Sequence, residues 1–121
     1  MKSKQTLKKV LIAFVIVLLI ILLFAFVDFL IHLLKAEYSV PSYYFRNKII
    51  FGTIIGLVAY YFVRNQKLFL KSLIFSLAVS ILLQIRYFIE GYSLSFVLLF
   101  LGIHFIILLP ISFLLLRFIK E

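Results

Sequence analysis

Four long apolar segments occupy most of this 121-residue chain. They run over residues 10–34, 43–63, 72–89 and 94–118, and Lys, Arg and Asp interrupt them only near their ends. At about 1.5 Å per residue, a helix of each length can cross a hydrocarbon core of roughly 30 Å, although residues 72–89 only just reach. All four segments are too long for strands, so the sequence predicts an all-α protein.

The hydrophobic content identifies the solvent that such helices need. Hydrophobic residues make up 66% of the chain and charged residues 14%, against roughly 45–50% and about 25% in soluble domains. A soluble domain of this size buries only about two-thirds of its surface, which is too little to hide so many apolar side chains. We therefore predict a single integral membrane domain over residues 1–121, surrounded by the lipid bilayer.

The connections between the segments predict how the helices are arranged. Residues 35–42, 64–71 and 90–93 are the three linkers, and each is short. Short linkers make consecutive helices antiparallel neighbours, so we expect an up-down bundle of four transmembrane helices. Ser42, after Pro41, is predicted to cap the second helix, and Gly91 is predicted to adopt a left-handed conformation in the last turn.

The distribution of Lys and Arg predicts the orientation in the membrane. Four crossings place both termini and the 64–71 linker on one side, with nine basic residues, and leave four on the other. The nine are Lys2, Lys4, Lys8, Lys9, Arg64, Lys67, Lys71, Arg117 and Lys120; the four are Lys35, Arg46, Lys48 and Arg86. The positive-inside rule makes the richer side cytoplasmic, so this is expected to be a multi-pass cell-membrane protein with both termini inside.

Aromatic residues support the same topology, and the N-terminus adds a further expectation. Five of the seven tyrosines fall near the predicted outer interface: Tyr38, Tyr43, Tyr44, Tyr87 and Tyr92. The basic N-terminus followed by a long apolar run, with no small-residue cleavage site, is typical of a retained signal anchor.

Several functional classes are excluded or disfavoured. The chain has no cysteine, so disulfides and thiolate chemistry are absent. It has no glycine-rich phosphate loop, nucleophile elbow or EF-hand, and no cofactor is predicted. The basic residues lie between apolar runs rather than on one face, so nucleic acid is not an expected partner.

Two spacings predict contacts between helices. Gly52 and Gly56 form a GxxxG pair, and small residues let membrane helices approach closely. A second stripe recurs every four residues and is small and polar: Ser72, Ser76, Ser80 and Gln84. We expect both stripes to face other helices, either in this bundle or in an oligomer; a water-lined path along the serines is the alternative.

Polar residues in the outer half of the predicted span form the candidate site. Asp28 and His32 are four residues apart and share a helix face, so the carboxylate can orient the imidazole. The remaining members of this candidate polar or transport site are Gln84, Arg86, Glu90 and His104. His104 lies about ten residues into its helix, near mid-bilayer, where an imidazole needs a partner. Ser80, Ser76 and Gln84 are the predicted partners.

Structural interpretations of the same residues stay open. Arg86 and Lys48 lie near helix ends and can extend to the interface, and Glu90 can pair with Arg86. Asp28 can pair with Lys48 or Arg86 to hold the first helix against its neighbours. A metal site is not predicted, because no H-x-x-x-H or H-E-x-x-H spacing is present.

Three functional classes fit these features. The favoured one is a non-catalytic accessory or interaction subunit, acting as a homo-oligomer or with another membrane protein. The second is a small-solute or proton-coupled transporter or channel, lined by the serine stripe, His104, Asp28 and His32. The third is a lipid-head-group enzyme, with Asp28 and His32 as base and Arg86 binding phosphate.

Overall fold

A computed structural model describes residues 2–120 of the chain. Over this range the chain forms four α-helices, one short 3-10 helix and no strand. The helices are α1 (Lys2–His32), α2 (Tyr43–Val63), α3 (Leu68–Ile89) and α4 (Leu94–Leu116), and the 3-10 helix is Ala36–Tyr38. The predicted all-α class is confirmed, and all four helices are long and apolar enough to cross a membrane.

The helix bounds differ from the apolar segments mainly at two starts. Helix α1 begins at Lys2, eight residues before its apolar run, because helical hydrogen bonding continues through the lysine-rich start. Helix α3 begins at Leu68 rather than residue 72, so it gains one turn and is no longer marginal in length. Helix α2 coincides with the apolar segment 43–63.

The four helices pack in a ring around one hydrophobic core. Among the described residues, the backbone of each helix lies close to that of the next, and α1 also lies close to α4, whereas the backbones of α1 and α3, and of α2 and α4, do not approach one another. The core is apolar along most of its length, with Val17, Ile21, Phe24, Phe75 and Leu83 all fully buried. Buried polar side chains interrupt it in several places, and the group that contains Asp28 and Lys48 is described below.

The GxxxG face packs inside this bundle. A methyl group built on Gly56 would lie 2.9 Å from Cγ1 of Val17 and 3.1 Å from Cζ of Phe75. One built on Gly52 would lie 3.2 Å from Cγ2 of Ile21. The absence of side chains at these two positions therefore lets α2 approach α1 and α3 of the same chain.

The ends of the helices agree with the sequence at one turn and differ at another. Gly91 has φ of +104°, the left-handed region that favours glycine. Ser93 then caps α4, its hydroxyl accepting a hydrogen bond from the Phe96 amide at 3.3 Å. Ser42 precedes α2, but its own backbone is helical and its side chain makes no capping bond, so the predicted cap is wrong.

Candidate functional site

Asp28 and Lys48 form an ion pair inside the helical bundle. Asp28 lies one turn before the end of α1 and Lys48 five residues into α2, and the side chains of both are fully buried. The Lys48 ammonium donates a hydrogen bond to Oδ2 of Asp28. Removing two charges from solvent is costly, and a close partner of opposite charge is the usual compensation.

The ammonium of Lys48 has three hydrogens, and three acceptors surround it. Besides Asp28, Nζ lies 3.3 Å from the Tyr44 hydroxyl and 3.0 Å from Nε2 of His104. Tyr44 lies one turn before Lys48 on α2, whereas His104 comes from α4. Asp28 and Tyr44 therefore accept hydrogen bonds from this buried cation, and His104 accepts a third when its Nε2 carries no proton.

His104 meets both members of the ion pair through one nitrogen. Its Nε2 lies 3.0 Å from Nζ of Lys48 and 3.3 Å from Oδ1 of Asp28. That nitrogen can accept a hydrogen bond from the ammonium or donate one to the carboxylate, but it cannot do both at once. The other ring nitrogen, Nδ1, has no hydrogen-bond partner in the described part of the chain. The position of a proton on this ring thus selects which neighbour it bonds.

His32 connects the ion pair to the linker between α1 and α2. Its Nδ1 donates to the carbonyl oxygen of Tyr38 at 2.6 Å, and its Nε2 lies 3.2 Å from Oδ2 of Asp28. The imidazole is only 4% exposed. The Tyr38 carbonyl belongs to the 3-10 helix of the linker. The His32 ring therefore connects the buried Asp28 carboxylate to the linker between α1 and α2.

Aromatic rings enclose these polar groups. The His32 ring stacks on Phe100, with centroids 4.3 Å apart and planes within 6°. Phe24 meets the His104 ring edge-on at 5.0 Å. The Lys48 ammonium lies 4.4 Å from the centre of the Tyr44 ring, which in turn stacks on Tyr87. All four helices contribute rings, so the cluster is sealed by aromatic surface that also attracts a cation.

No family model, curated protein or solved structure matches this chain. A function for this protein is therefore inferred from the arrangement of its own residues. We call the five polar residues Asp28, His32, Tyr44, Lys48 and His104 the buried polar cluster.

Three of the six candidate polar residues lie together, and three lie elsewhere. Asp28, His32 and His104 belong to the buried polar cluster. Arg86 pairs with Glu90 at 3.0 Å on the partly exposed end of α3, and its guanidinium lies 3.7 Å from the centre of the Phe51 ring. Gln84 is buried and donates to the Val97 carbonyl oxygen at 2.7 Å. Arg86 therefore does not join Asp28 and His32 in a phosphate-binding cleft.

The predicted partners of His104 are wrong. Lys48 and Asp28 occupy the place expected of Ser76, Ser80 or Gln84. Ser76 instead donates to Ser112 at 3.3 Å, and Ser80 has no hydrogen-bond partner within residues 2–120. The reason is rotational: His104 faces α1 and α2 across the bundle, whereas the serines face the α3–α4 contact.

The serine stripe is buried along its whole length. Ser72, Ser76, Ser80 and Gln84 are each 2% exposed or less. Ser72 donates to the Leu68 carbonyl of its own helix at 2.8 Å. The burial of all four side chains, and the bonds of Ser76 and Gln84 to α4, indicate that the stripe is a packing surface.

The sequence analysis did not single out Tyr44, and it left two interpretations of Lys48 open, extension to the interface or pairing with Asp28. The pairing is confirmed. Tyr44 and Tyr87 were expected to form part of an interfacial belt, yet these two residues and Lys48 are each at most 1% exposed. A usable signal was present in the spacing. Tyr44, Lys48, Gly52 and Gly56 recur every four residues, so all of them lie on the packing face of α2.

The cluster offers proton-accepting and proton-donating groups rather than a ligand cage. No group of three or more histidine and carboxylate side chains in the described range is arranged to hold a metal ion. The Lys48 ammonium lies between Asp28 and His104, where a cation would otherwise sit. Chemically, the cluster can fasten three helices together or exchange a proton among its members.

Proposed function

We propose that this protein is inserted in a membrane as an antiparallel up-down bundle and acts as a non-catalytic accessory or interaction subunit. The observation that carries the proposal is the closed state of the buried polar cluster. Its charged groups are paired with one another, enclosed by aromatic rings and removed from solvent. An active site needs an open position for a substrate, whereas the two charged groups of this cluster, Asp28 and Lys48, are already paired with each other.

Membrane insertion is supported by where apolar side chains lie. Large apolar residues are exposed around the whole bundle, including Phe62 at 84% and Ile106 at 71%. Exposed apolar surface of this extent is unfavourable in water and favourable against lipid tails. The antiparallel arrangement is supported by paired contacts: Val17 meets Gly56 and Ile21 meets Gly52, so residue numbers rise on α1 as they fall on α2.

The orientation is supported more strongly after Lys48 is removed from the count. Lys48 is buried against Asp28 rather than displayed at the outer end. Lys71, on the other side, is buried as well. With both left out, three basic residues remain on the outer side, Lys35, Arg46 and Arg86, against eight on the other. The ratio between the two sides is then larger, which favours a topology with both termini in the cytoplasm.

We propose a partner because the described residues form neither an open pocket at the buried polar cluster nor a long linker that could bind a ligand. The linkers between helices are short, and the GxxxG face is already occupied by Val17 and Phe75 of the same chain. Contact with another membrane protein or a second copy would therefore use the lipid-exposed side chains.

Site-specific photo-crosslinking in cell membranes tests this proposal. A photoreactive residue at position 62 or 106 should yield discrete crosslinked products at one or both positions. The reason is that an accessory subunit remains bound to one particular protein. Position 53, buried in the bundle, is the matched control. Lipid adducts alone at every exposed position would contradict an accessory role.

Proton-coupled transport is the second candidate, and one observation favours it. Nε2 of His104 lies within reach of both Lys48 and Asp28, so a single proton transfer would exchange its hydrogen-bond partner. Ionisable groups in a membrane interior often mark proton pathways. Purified protein would be reconstituted into vesicles that contain a pH-sensitive dye. Under an imposed proton gradient, the interior of these vesicles should acidify faster than that of protein-free vesicles if the protein transports protons. Equal rates would contradict this candidate.

A further inference from the structure

Helix α1 projects beyond the rest of the bundle at its N-terminal end. Residues 3–12 are all exposed, and Ala13 is the first buried residue. Val17 packs at the level of Gly56 and Ile21 at the level of Gly52, so the same register places residue 10 beside Val63, the last residue of α2. About eight residues, or roughly 12 Å of helix, thus extend past the end of α2.

One face of this projecting segment combines cations with an apolar groove. Lys4 and Lys8 are one turn apart, and below them Leu11, Ile12, Val15 and Ile16 continue the same face. Together with Leu7 they line a wide, shallow groove to which only α1 contributes, and its surface is almost entirely apolar. The sequence contains no Asp or Glu before Asp28, so nothing on this segment neutralises the lysines.

We propose that this groove, with Lys4 and Lys8 at its polar end, is a binding site for an anionic phospholipid. The inference rests on the proposed membrane insertion. The apolar run from Val10 to Val27 is about 27 Å long as a helix, so it fills the hydrocarbon core and leaves Lys4 and Lys8 at head-group level. The phosphate then meets two ammonium groups, while an acyl chain lies along Leu11, Val15 and Ile16.

Charge and shape favour this occupant over a second protein. A partner helix would need acidic residues opposite Lys4 and Lys8, and this chain has only four acidic residues in total, so a second copy is poorly matched. A phospholipid supplies a negative head and an apolar tail in the same order as the groove. Juxtamembrane lysines are attracted to anionic lipid surfaces for the same electrostatic reason.

Lipid retention in native mass spectrometry tests the proposal. Full-length protein would be taken from nanodiscs containing equal amounts of phosphatidylglycerol and phosphatidylcholine with identical acyl chains. We expect the wild type to retain phosphatidylglycerol, and the double variant Lys4→Gln/Lys8→Gln to retain it roughly tenfold less. Arg64→Gln/Lys67→Gln is the matched control, because it removes two charges from the same end of the bundle outside the groove.

Each other outcome overturns the proposal in a recognisable way. Equal loss in the two double variants would mean that only the overall charge attracts lipid and that no site exists. Equal retention of both lipids would remove the role of the lysines. A dimer in place of bound lipid, abolished by Val15→Glu, would assign the groove to a second copy. Extraction of the protein from membranes by alkaline carbonate would instead identify a failure of membrane insertion itself.

Discussion

Nζ of Lys48 lies 3.0 Å from Nε2 of His104, although 56 positions separate the two residues in the chain. The contact joins α2 to α4, whose backbones do not approach one another in the described ring of helices. Asp28 of α1 completes it by contacting both side chains. These three side chains therefore connect α1, α2 and α4 across the interior of the bundle, including the diagonal pair α2 and α4.

The first prediction concerns the ion pair. Lys48→Met should lower the free energy of unfolding in detergent by roughly 3–5 kcal/mol, because it leaves the buried Asp28 carboxylate without its cation. Lys35→Met, which removes a 58% exposed lysine side chain, should change it by less than about 0.5 kcal/mol. Chemical denaturation followed by circular dichroism measures both.

A double variant separates the cost of an unpaired charge from a general need for polarity. Asp28→Leu/Lys48→Met removes both charges and should recover most of the stability lost in Lys48→Met, since apolar replacements of a buried pair are often neutral or better. If the double variant were as unstable as the single one, the pair would not act as a unit.

The second prediction distinguishes the two candidate functions at His104. His104→Gln should leave the free energy of unfolding within about 1 kcal/mol of the wild type, because an amide supplies an acceptor for Lys48 and a donor for Asp28. His104→Leu should cost roughly 1–3 kcal/mol, because a buried donor of Lys48 loses its acceptor. Thermal unfolding in the same detergent gives the comparison.

The same glutamine variant has a different expected effect if the protein moves protons. An amide does not titrate in the physiological range, so a proton-coupled wild type would show flux into dye-loaded vesicles that His104→Gln abolishes while the fold persists. A subunit with only an accessory role shows no flux in either form.

The third prediction concerns close packing at α2. Gly56→Ala should lower stability by roughly 1–3 kcal/mol, because the added methyl would lie 2.9 Å from Val17 and force α1 and α2 apart. Gly102→Ala is the control: it meets no atom within 4 Å, and alanine favours a helix over glycine by about 1 kcal/mol. The two substitutions should therefore shift the melting temperature in opposite directions. Equal shifts would remove close packing as the reason for Gly56.

The fourth prediction tests the proposed topology. The chain has no cysteine, so single cysteines introduced at exposed positions report location without background. Ser39→Cys, in the α1–α2 linker, should react with an impermeant thiol reagent added to intact cells, whereas Gln66→Cys should react only after the cells are opened. Labelling with the opposite pattern would place the termini outside, and the basic end of α1 with them.

Much of the fold is predictable from the sequence because its causes are local. Helix α2 coincides with the apolar segment 43–63, since a run of that length needs to satisfy its own backbone hydrogen bonds. The positive φ of Gly91 is likewise predictable, because the four-residue linker between α3 and α4 needs a sharp reversal. The extent of α1 was underestimated because lysines do not prevent helix formation, even though they end the apolar run.

The candidate site was only partly predictable. Asp28 and His32 share a face by spacing alone, and Arg86 and Glu90 likewise lie one turn apart and pair. The partner of His104 was not predictable in this way. Depth along α4 suggested the serines of α3, but depth does not determine which way a side chain points across a bundle.

Sequence by itself determined that there are four helices, roughly where each lies and which polar residues each carries, because hydrophobic run length and helical spacing act within a segment. Only the tertiary structure decided that Asp28 pairs with Lys48 rather than with Arg86, and that His104 meets both members of the pair. That outcome depends on the rotation of each helix about its axis, which is set by contacts such as Val17 with Gly56. Rotation is a property of the whole packed bundle, because each helix must bury its own face against two neighbours at once.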